Sequence, residues 1–382
     1  PDVLTGVVAD EEPGLHPVAA AASRAGASSA RVLARAGLIV TAMFLAARVL
    51  GYVRTIAYAA AFPDIAELAP FYAAFRIPDL LFQLVAAGAL SSALIPVIAG
   101  LFAKEEDARA WRVVSTVATL MLSVLLVLAA LVMWFAPEFV AVITPGFTDA
   151  QRAETVDLTR IMVFSPLLLS AGAIATSVLN SRERFGAAAL APLVYNLAMI
   201  FGAIALAPAF GVQGLAYGVV LGAFGHIAVQ VPSLVRLGAR IRPFVDLRDD
   251  QARTALLLMV PRAIGLGATQ IVFLVLTSLA TTLGAEAVVV FSFAFAVLQI
   301  PIGVIGVPLG IVLLPSLSRE AALGAGEGFT RLVTRALALL GYVMIATAAL
   351  GIVVSGDLVR LLFGVADMDE SVLAATAAAL GV

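Results

Sequence analysis

Apolar residues in this chain come in long runs, and the charged residues are confined almost entirely to the gaps between them. The runs cover approximately 36–62, 67–102, 111–136, 155–179, 186–210, 212–235, 254–283, 286–315, 332–355 and 371 onward. A helix needs about 20 such residues to cross a bilayer, so the pattern predicts nine full spans and a tenth cut short at Val382. The chain begins with Pro1 in place of Met and is read as a piece of a longer protein, with further spans expected beyond it. Composition agrees: 62% hydrophobic residues, 13% charged residues and a mean hydropathy of +1.08 lie far outside the range of a domain that folds in water. The expected fold class is an all-α polytopic membrane protein.

The gaps give the orientation. With the N-terminus inside, the inner segments hold sixteen Lys and Arg, from Arg24 to Arg335, and the outer loops hold only Arg152 and Arg360. That asymmetry is the positive-inside pattern. Residues 1–30, rich in Ala, Ser and Gly with scattered acid, read as a disordered tail without signal-peptide order. The longest inner gap, LGARIRPFVDLRDDQAR at 237–253, reads as an amphipathic interfacial linker. It divides an N-terminal lobe at 31–236, spans one to six, from a C-terminal lobe at 254–382, spans seven to ten.

Several chemistries drop out. There are no cysteines and only two histidines, His16 and His226, so no thiolate or histidine-built metal site is expected. Nothing resembles a phosphate-cradling loop or a nucleophile with a base. The chain reads as neither an enzyme nor a nucleic-acid binder, and no cofactor is expected. Without an evident ATP site, membrane potential or an ion gradient is the expected source of energy for any transport.

Charges inside the runs carry the candidate chemistry. Arg48 and Arg54 lie in AARVLGYVRTIAYAAAF, Arg76 in AFRIPDLL and Arg262 in MVPRAIG. Each costs roughly 2.5–3.5 kcal/mol on insertion scales, so such residues usually face a cavity or bind something. Cations at mid-depth with little matching acid suit an anion, and Arg offers a fork that takes phosphate oxygens in pairs and stays charged at any depth. On a straight helix Arg48 and Arg54 point about 120° apart, so sharing one ligand requires a bend at Gly51 or long reaches. The competing reading has Arg54 snorkelling and Arg48 bonding free carbonyls at a kink. Asp79, three residues after Arg76, is expected either to pair with it or to take part in ion coupling. Asn196 and Gln230, Gln270 and Gln299 are read as helix-bridging or cavity-lining groups, and His226 as a packed histidine.

Two segments look like repeats. FYAAFRIPDLLFQLVAAGALSSALIP at 71–96 and FSFAFAVLQIPIGVIGVPLGIVLLP at 291–315 share an Ala-Phe pair, Ala74-Phe75 and Ala294-Phe295, followed by a small-residue run ending at Pro96 and Pro315. An offset of six spans makes the repeat parallel, with a pseudo-two-fold axis along the membrane normal. Shared Ala, Leu, Gly and Val content is the competing explanation. Helix breakers fall at matching places, Pro78 and Gly88 in span two and Pro301, Gly303, Gly306, Pro308 and Gly310 in span eight, and paired interruptions point to a substrate path. Two six-helix lobes working by alternating access are the expectation.

The blocks ARVLGYVRTIAYAAAF, AFRIPDLLFQLVAAGALSSALIPV, LNSRERFGAAALAPLVYNLAMI and IPIGVIGVPLGIVLLPSLSRE, taken together and in this order, resemble the MurJ/MviN family of lipid II flippases. The resemblance runs over about 35–382. It implies two six-helix lobes plus two C-terminal spans, a place in the bacterial cytoplasmic membrane, and export of a diphosphate-linked peptidoglycan precursor to the outer leaflet without making or breaking a bond. It also implies that Arg48 and Arg54 line the cavity as diphosphate ligands, with Arg76 at a basic position of the second block; Arg262, read from its place in an apolar run and not from the resemblance, is expected to help as a further cation. Expected partners are the lipid-linked diphosphate, membrane lipids, and cell-wall synthesis or division proteins. The chain departs from the family pattern at Thr55, Phe82, Gln83, Ala87 and Ala296, where charged residues are usual. That leaves open a flippase of other lipid-linked cargo, or a non-transporting cell-wall scaffold; a cationic-drug exporter should instead show acid at mid-depth.

Overall fold

A computed structural model of the chain describes residues 42–43, 45–84, 89–306, 326–364 and 369–381, with isolated positions 309, 313, 317 and 320. The tail at 1–30, Ala87, Gly88, Pro308, Gly310 and Pro315 lie outside the described residues. What is described is helical, with no strand.

Helix α1 covers 45–61, and a 3₁₀ turn at Ile65–Leu68 leads into α2, which comes in two described pieces, Ala69–Phe82 and Ala89–Ala103. Then follow α3 (Asp107–Trp134), α4 (Asp149–Ser181), α5 (Phe185–Phe210), α6 (Val212–Arg236), α7 (Asp250–Leu283), α8 (Ala285–Gly306) and α9 (Gly328–Phe363). These seven are long and apolar enough to cross a membrane, and a shorter apolar helix, α10 (Glu370–Leu380), ends the described chain. Every expected run has its helix. Turn chemistry sets their starts: Thr148 caps α4 through a reciprocal capping box with Gln151, and Asp249 and Asp369 cap α7 and α10 by accepting from backbone N–H groups of the first turn.

The expected breaks are only partly where the prolines stand. Pro78 sits inside the continuous helix Ala69–Phe82, and the backbone loosens into a π turn five residues later, at Gln83–Leu84. In α8 the regular helix runs to Pro301 and continues as a π segment at Ile302–Gly306. An offset of 220 residues, the one that superposes the two Ala-Phe pairs, carries 83–84 onto 303–304, inside that segment. A π turn rather than a clean break is how a helix absorbs an inserted irregularity while keeping most of its hydrogen bonds inside a bilayer.

Buried apolar side chains collect at both ends of the bundle. The cluster at the end that charge assigns to the outside takes in Tyr58, Leu68, Phe71 and Phe147 from the first three spans and their outer loops, together with Phe293, Phe363 and Leu373. Phe71 lies edge-on to Tyr58 at 5.4 Å, and Phe293 stacks on Phe363 at 4.8 Å. The buried apolar residues of α8, α9 and α10 all belong to this outer cluster or to Ala294 nearby. At the cytoplasmic end a second cluster joins Leu101, Trp111, Leu179 and Leu234 to the first turns of α7 through Ala252, Ala255 and Met259. A third lines the outward half of α3.

Outer closure is tight. The backbone N–H of Gly146, in the loop after α3, donates to Thr281 Oγ1 at 3.3 Å near the outer end of α7. A Cβ at Gly146 would stand 2.0 Å from the Thr281 carbonyl oxygen, so only glycine permits that approach.

The linker differs in form from the expected amphipathic segment. Residues 239–249 carry no helix, and α7 begins at Asp250, inside the range expected for the linker. Three of its backbone N–H groups are satisfied by hydroxyls of α3, as detailed below. Asp249 at its end accepts from Arg109 Nε at 2.7 Å. Burial pushes the Asp249 carboxyl upward, but hydrogen bonds from Arg109, Ala252 and Gln251 outweigh it and hold the group below the usual carboxylate range.

Candidate functional site

The arginines differ in their neighbours: Arg48 meets α8, Arg54 meets α5, and Arg76 meets α7 and α8. Arg48 and Arg54 both stand on α1, which stays helical through Gly51. Gly51 does not bend the helix, and α5 passes beside it: a Cβ there would lie at ordinary contact distance, 3.7 Å, from Asn196 Oδ1. Arg48 reaches α8, where a Cβ at Gly303 would meet its guanidinium carbon and Nη1 at 3.1 Å. The π segment of α8 and the first cation of α1 are thus neighbours.

Arg54 turns to α5. Its Nη1 donates to Asn196 Oδ1 at 3.3 Å and lies 3.4 Å from Met199 Sδ. The guanidinium carbon is 6.0 Å from the Tyr58 ring. Asn196 also donates from Nδ2 to the carbonyls of Pro192 at 2.9 Å and Ala47 at 3.4 Å, which fixes the direction of its amide and ties α5 to α1. Arg54 Nε is buried with no protein partner, as are the hydroxyls of Tyr52 and Tyr58. Thr55, at the position where the family usually carries Asp, bonds back to the Gly51 carbonyl at 3.2 Å and supplies no counter-charge.

Arg76 is held more firmly. Its Nε donates to Thr277 Oγ1 of α7 at 3.0 Å, and its guanidinium carbon stands 5.3 Å from the Phe273 ring and 5.7 Å from that of Phe291. Such stacking on aromatic faces suits the planar guanidinium and adds roughly 0.5–2 kcal/mol per contact. The expected ion pair with Asp79 does not close within 4.0 Å, although the two charges still act on one another. Asp79 instead accepts from Gln270 Nε2 at 3.1 Å. The reason is geometric: both side chains aim across to α7, one at Thr277 and the other at Gln270, seven residues earlier on this antiparallel neighbour. Arg262 lies exposed on α7, eight residues before Gln270.

Of the polar residues read as bridging or cavity-lining, Asn196, Gln230 and Gln270 bridge helices. Gln230 is fully buried in α6 and joins α4 by accepting from Thr176 Oγ1 at 2.9 Å and donating to the Gly172 carbonyl at 3.2 Å. His226 packs against Gly172, whose absent side chain makes room for the ring. Among the described residues no cluster of three His, Cys, Asp or Glu could hold a metal ion.

Sequence reasoning missed the tyrosines. Tyr72 lies within electrostatic reach of both Arg54 and Arg76, and Tyr195 within reach of Arg54 and Asp79. With Tyr58, whose ring lies 6.0 Å from the Arg54 guanidinium carbon, they make three of the chain's six tyrosines near two of these cations. Their clustering was the available signal, since phenols are uncommon deep in lipid without a polar neighbour.

A bundle of apolar helices long enough to cross a membrane, carrying cations and neutral hydrogen-bonding groups within the spans, defines a polytopic membrane protein. The chain belongs to the lipid II flippase MurJ family, whose model matches residues 58–382. It is 30% identical over 295 residues to "Lipid II flippase MurJ" of Burkholderia cenocepacia, covering 75% of this chain and 57% of that protein. It is 32% identical over 333 residues to "Probable lipid II flippase MurJ" of Rhizobium tropici, covering 84% and 61%. The chain thus spans about three-fifths of the length of these relatives. Among solved structures, "Lipid II flippase MurJ, inward closed conformation" aligns with a TM-score of 0.75 at 19% identity, over 90% of this chain and 71% of that one. An inward-facing multidrug resistance MATE family transporter of the MOP superfamily aligns with a TM-score of 0.68 at 18% identity, over 87% and 76%. The family is one of transporters, not enzymes, and places the chain as a multi-pass protein of the bacterial cytoplasmic membrane.

Proposed function

We propose that the protein to which this chain belongs moves lipid II, an undecaprenyl-diphosphate carrying a disaccharide-pentapeptide, from the inner to the outer leaflet by alternating access. Family membership and the names of the relatives support the cargo. The observation that carries the site is the state of Arg54: a buried Nε without a partner, an Nη1 on an amide oxygen and a thioether, and no ion pair within 4.0 Å among the described residues. An arginine kept charged by neutral acceptors, with donors to spare, is a receptor for an anion.

In this reading Arg48 and Arg54 bind the diphosphate in turn, since they face α8 and α5 and cannot share one geometry. Tyr52 and Tyr58 offer hydroxyls to phosphate or sugar oxygens. Arg76 acts differently: fixed to Thr277 between two phenylalanine rings, it ties α2 to α7 and α8 and contributes positive potential more than direct contact. Tight packing at the outer end, through Gly146 and Thr281, is the closed gate of a state accessible from the cytoplasm, and the two six-helix lobes would rock about it. Energy is supplied by the membrane potential or an ion gradient.

A second reading has specific support. Thr55, Phe82, Gln83 and Ala296 replace family charges, so a less highly charged lipid-linked oligosaccharide is a competing cargo. Complementation by the full-length parent gene in cells depleted of their own lipid II flippase separates them. Rescue lost in Arg48→Ala and Arg54→Ala at matched expression supports lipid II and the site together. Failure of a well-expressed wild type moves the other cargo, or a scaffold role, ahead.

A further inference from the structure

The extended linker between α6 and α7 has a two-residue period that its role as a connection does not require. The backbone N–H groups of Arg242, Phe244 and Asp246, every second residue, donate to Ser115 Oγ, Thr119 Oγ1 and Thr116 Oγ1 of α3, each at 3.1 Å. Alternate N–H groups of an extended chain lie on one edge, so the linker is a strap pinned by that edge to a helix. Pro243 falls between two of these donors, on the outward edge where a missing N–H costs nothing.

The same alternation sorts the side chains. Ile241, Pro243 and Val245 alternate with Arg240, Arg242, Phe244 and Asp246 along the extended stretch, and a turn at 247–248 adds Leu247 and Arg248 to the same surface. Ile241, Val245 and Leu247 are 41%, 45% and 57% exposed, so the protein does not cover the apolar face. The three arginines are exposed as well. Asp246 is turned to its own strap, where Oδ1 accepts from the Arg248 N–H at 3.0 Å, and its one carboxylate leaves the three arginines in excess.

Depth decides what covers this surface. Arg112, exposed at the start of the apolar run of α3, marks the interface, and the anchoring hydroxyls at 115–119 lie about 5–10 Å further along the helix. That is the depth at which interfacial segments bury an apolar face at the boundary of headgroups and acyl chains. A soluble partner does not reach it; a phospholipid is already there. The basic face then lies among headgroups, and its net positive charge selects anionic ones.

We propose that the strap at 240–248 is a binding site for anionic phospholipid of the cytoplasmic leaflet, with Arg240, Arg242 and Arg248 on the headgroup phosphate and Ile241, Val245 and Leu247 among the upper acyl carbons. The site is separate from the mid-depth arginines and does not depend on the cargo assigned to them.

Native mass spectrometry of the full chain in detergent, titrated with phosphatidylglycerol or phosphatidylcholine, tests it. Wild type is expected to bind phosphatidylglycerol more tightly than phosphatidylcholine. Arg240→Gln, Arg242→Gln and Arg248→Gln together should weaken phosphatidylglycerol binding roughly a hundredfold, about fivefold per arginine, and leave phosphatidylcholine binding unchanged. Thr116→Val with Thr119→Val keeps every charge but unpins the strap, and should lower phosphatidylglycerol affinity about tenfold, as expected for roughly two lost hydrogen bonds. Wild-type affinity in either variant, at an unchanged melting temperature, overturns the proposal, as does a wild type that does not distinguish the two lipids. If the triple variant fails to fold, Arg242→Gln alone must still show its fivefold loss.

Discussion

Arg54 Nη1 and Asn196 Oδ1 lie 3.3 Å apart, so the central cation of the site is oriented by a neutral amide. An amide positions a guanidinium without cancelling its charge, whereas a carboxylate at the same place would form a partly buried ion pair whose attraction an incoming diphosphate must overcome. Asn196→Asp is therefore expected to abolish complementation while the protein still accumulates in the membrane. Asn196→Ala, which releases the arginine but leaves it charged, should cost less, about tenfold in lipid II translocation by reconstituted full-length protein. If Asn196→Asp transports as wild type does, Arg54 is not the diphosphate ligand.

Arg76 invites a different test because its partners are protein groups. Arg76→Met keeps much of its length but gives up the hydrogen bond to Thr277 and the contacts with Phe273 and Phe291. A hydrogen bond to a charged group contributes about 1.5–3 kcal/mol and cation–π contacts somewhat less, so a loss of about 2 kcal/mol is expected after the relief of desolvating the charge. Thr277→Val should cost about 1 kcal/mol. A double-mutant cycle read by thermal unfolding in detergent should show the two changes to be non-additive.

How much of this was legible in the sequence depends on the range of the interaction. The helices were, because a bilayer asks only for about 20 apolar residues and the loops carry the charges that orient them. Of the two breakers expected in α2, Pro78 stays inside its helix and the irregularity appears at Gln83–Leu84, while Gly88 lies outside the described residues. The strap was legible as amphipathic but not as extended, since its backbone partners Ser115, Thr116 and Thr119 lie some 125–130 positions earlier. Arg76 and Asp79 look like a pair at three-residue spacing, yet their partners stand 201 and 191 residues away. No local pattern encodes such contacts.

The strap's anchor gives a pH prediction. Because hydrogen bonds hold the folded Asp249 carboxyl below its ordinary value, the contribution to stability is fully present above the unfolded value, about 3.9, and is lost as pH falls through the lower folded one. Melting temperature should therefore show no dependence on this group between pH 7 and about 5 and should decline more steeply below about 4. Asp249→Asn cannot titrate, so its curve should start lower at neutral pH and converge with wild type in acid. Parallel curves at all pH values would mean that the Arg109–Asp249 contact does not stabilise the fold.

The outer gate can be opened on purpose. A methyl group at Gly146 would come within 2.0 Å of the Thr281 carbonyl oxygen, a backbone atom that cannot swing aside as a side chain can. Gly146→Ala must therefore push the loop after α3 away from the outer end of α7, and the outer cluster that holds α8 and α10 should loosen with it. The chain has no cysteine, so a single engineered thiol reports without background. Ala280→Cys, at a site only 8% exposed, should resist a membrane-impermeant maleimide added from outside in an otherwise wild-type protein and react at least tenfold faster in the Gly146→Ala background. The proposed alternating-access cycle couples the two ends, so on that reading the same substitution should also slow return to the inward-accessible state and reduce transport. Unchanged labelling would mean that Gly146 and Thr281 do not form the gate, whereas faster labelling with full transport would mean that outer closure does not limit the cycle.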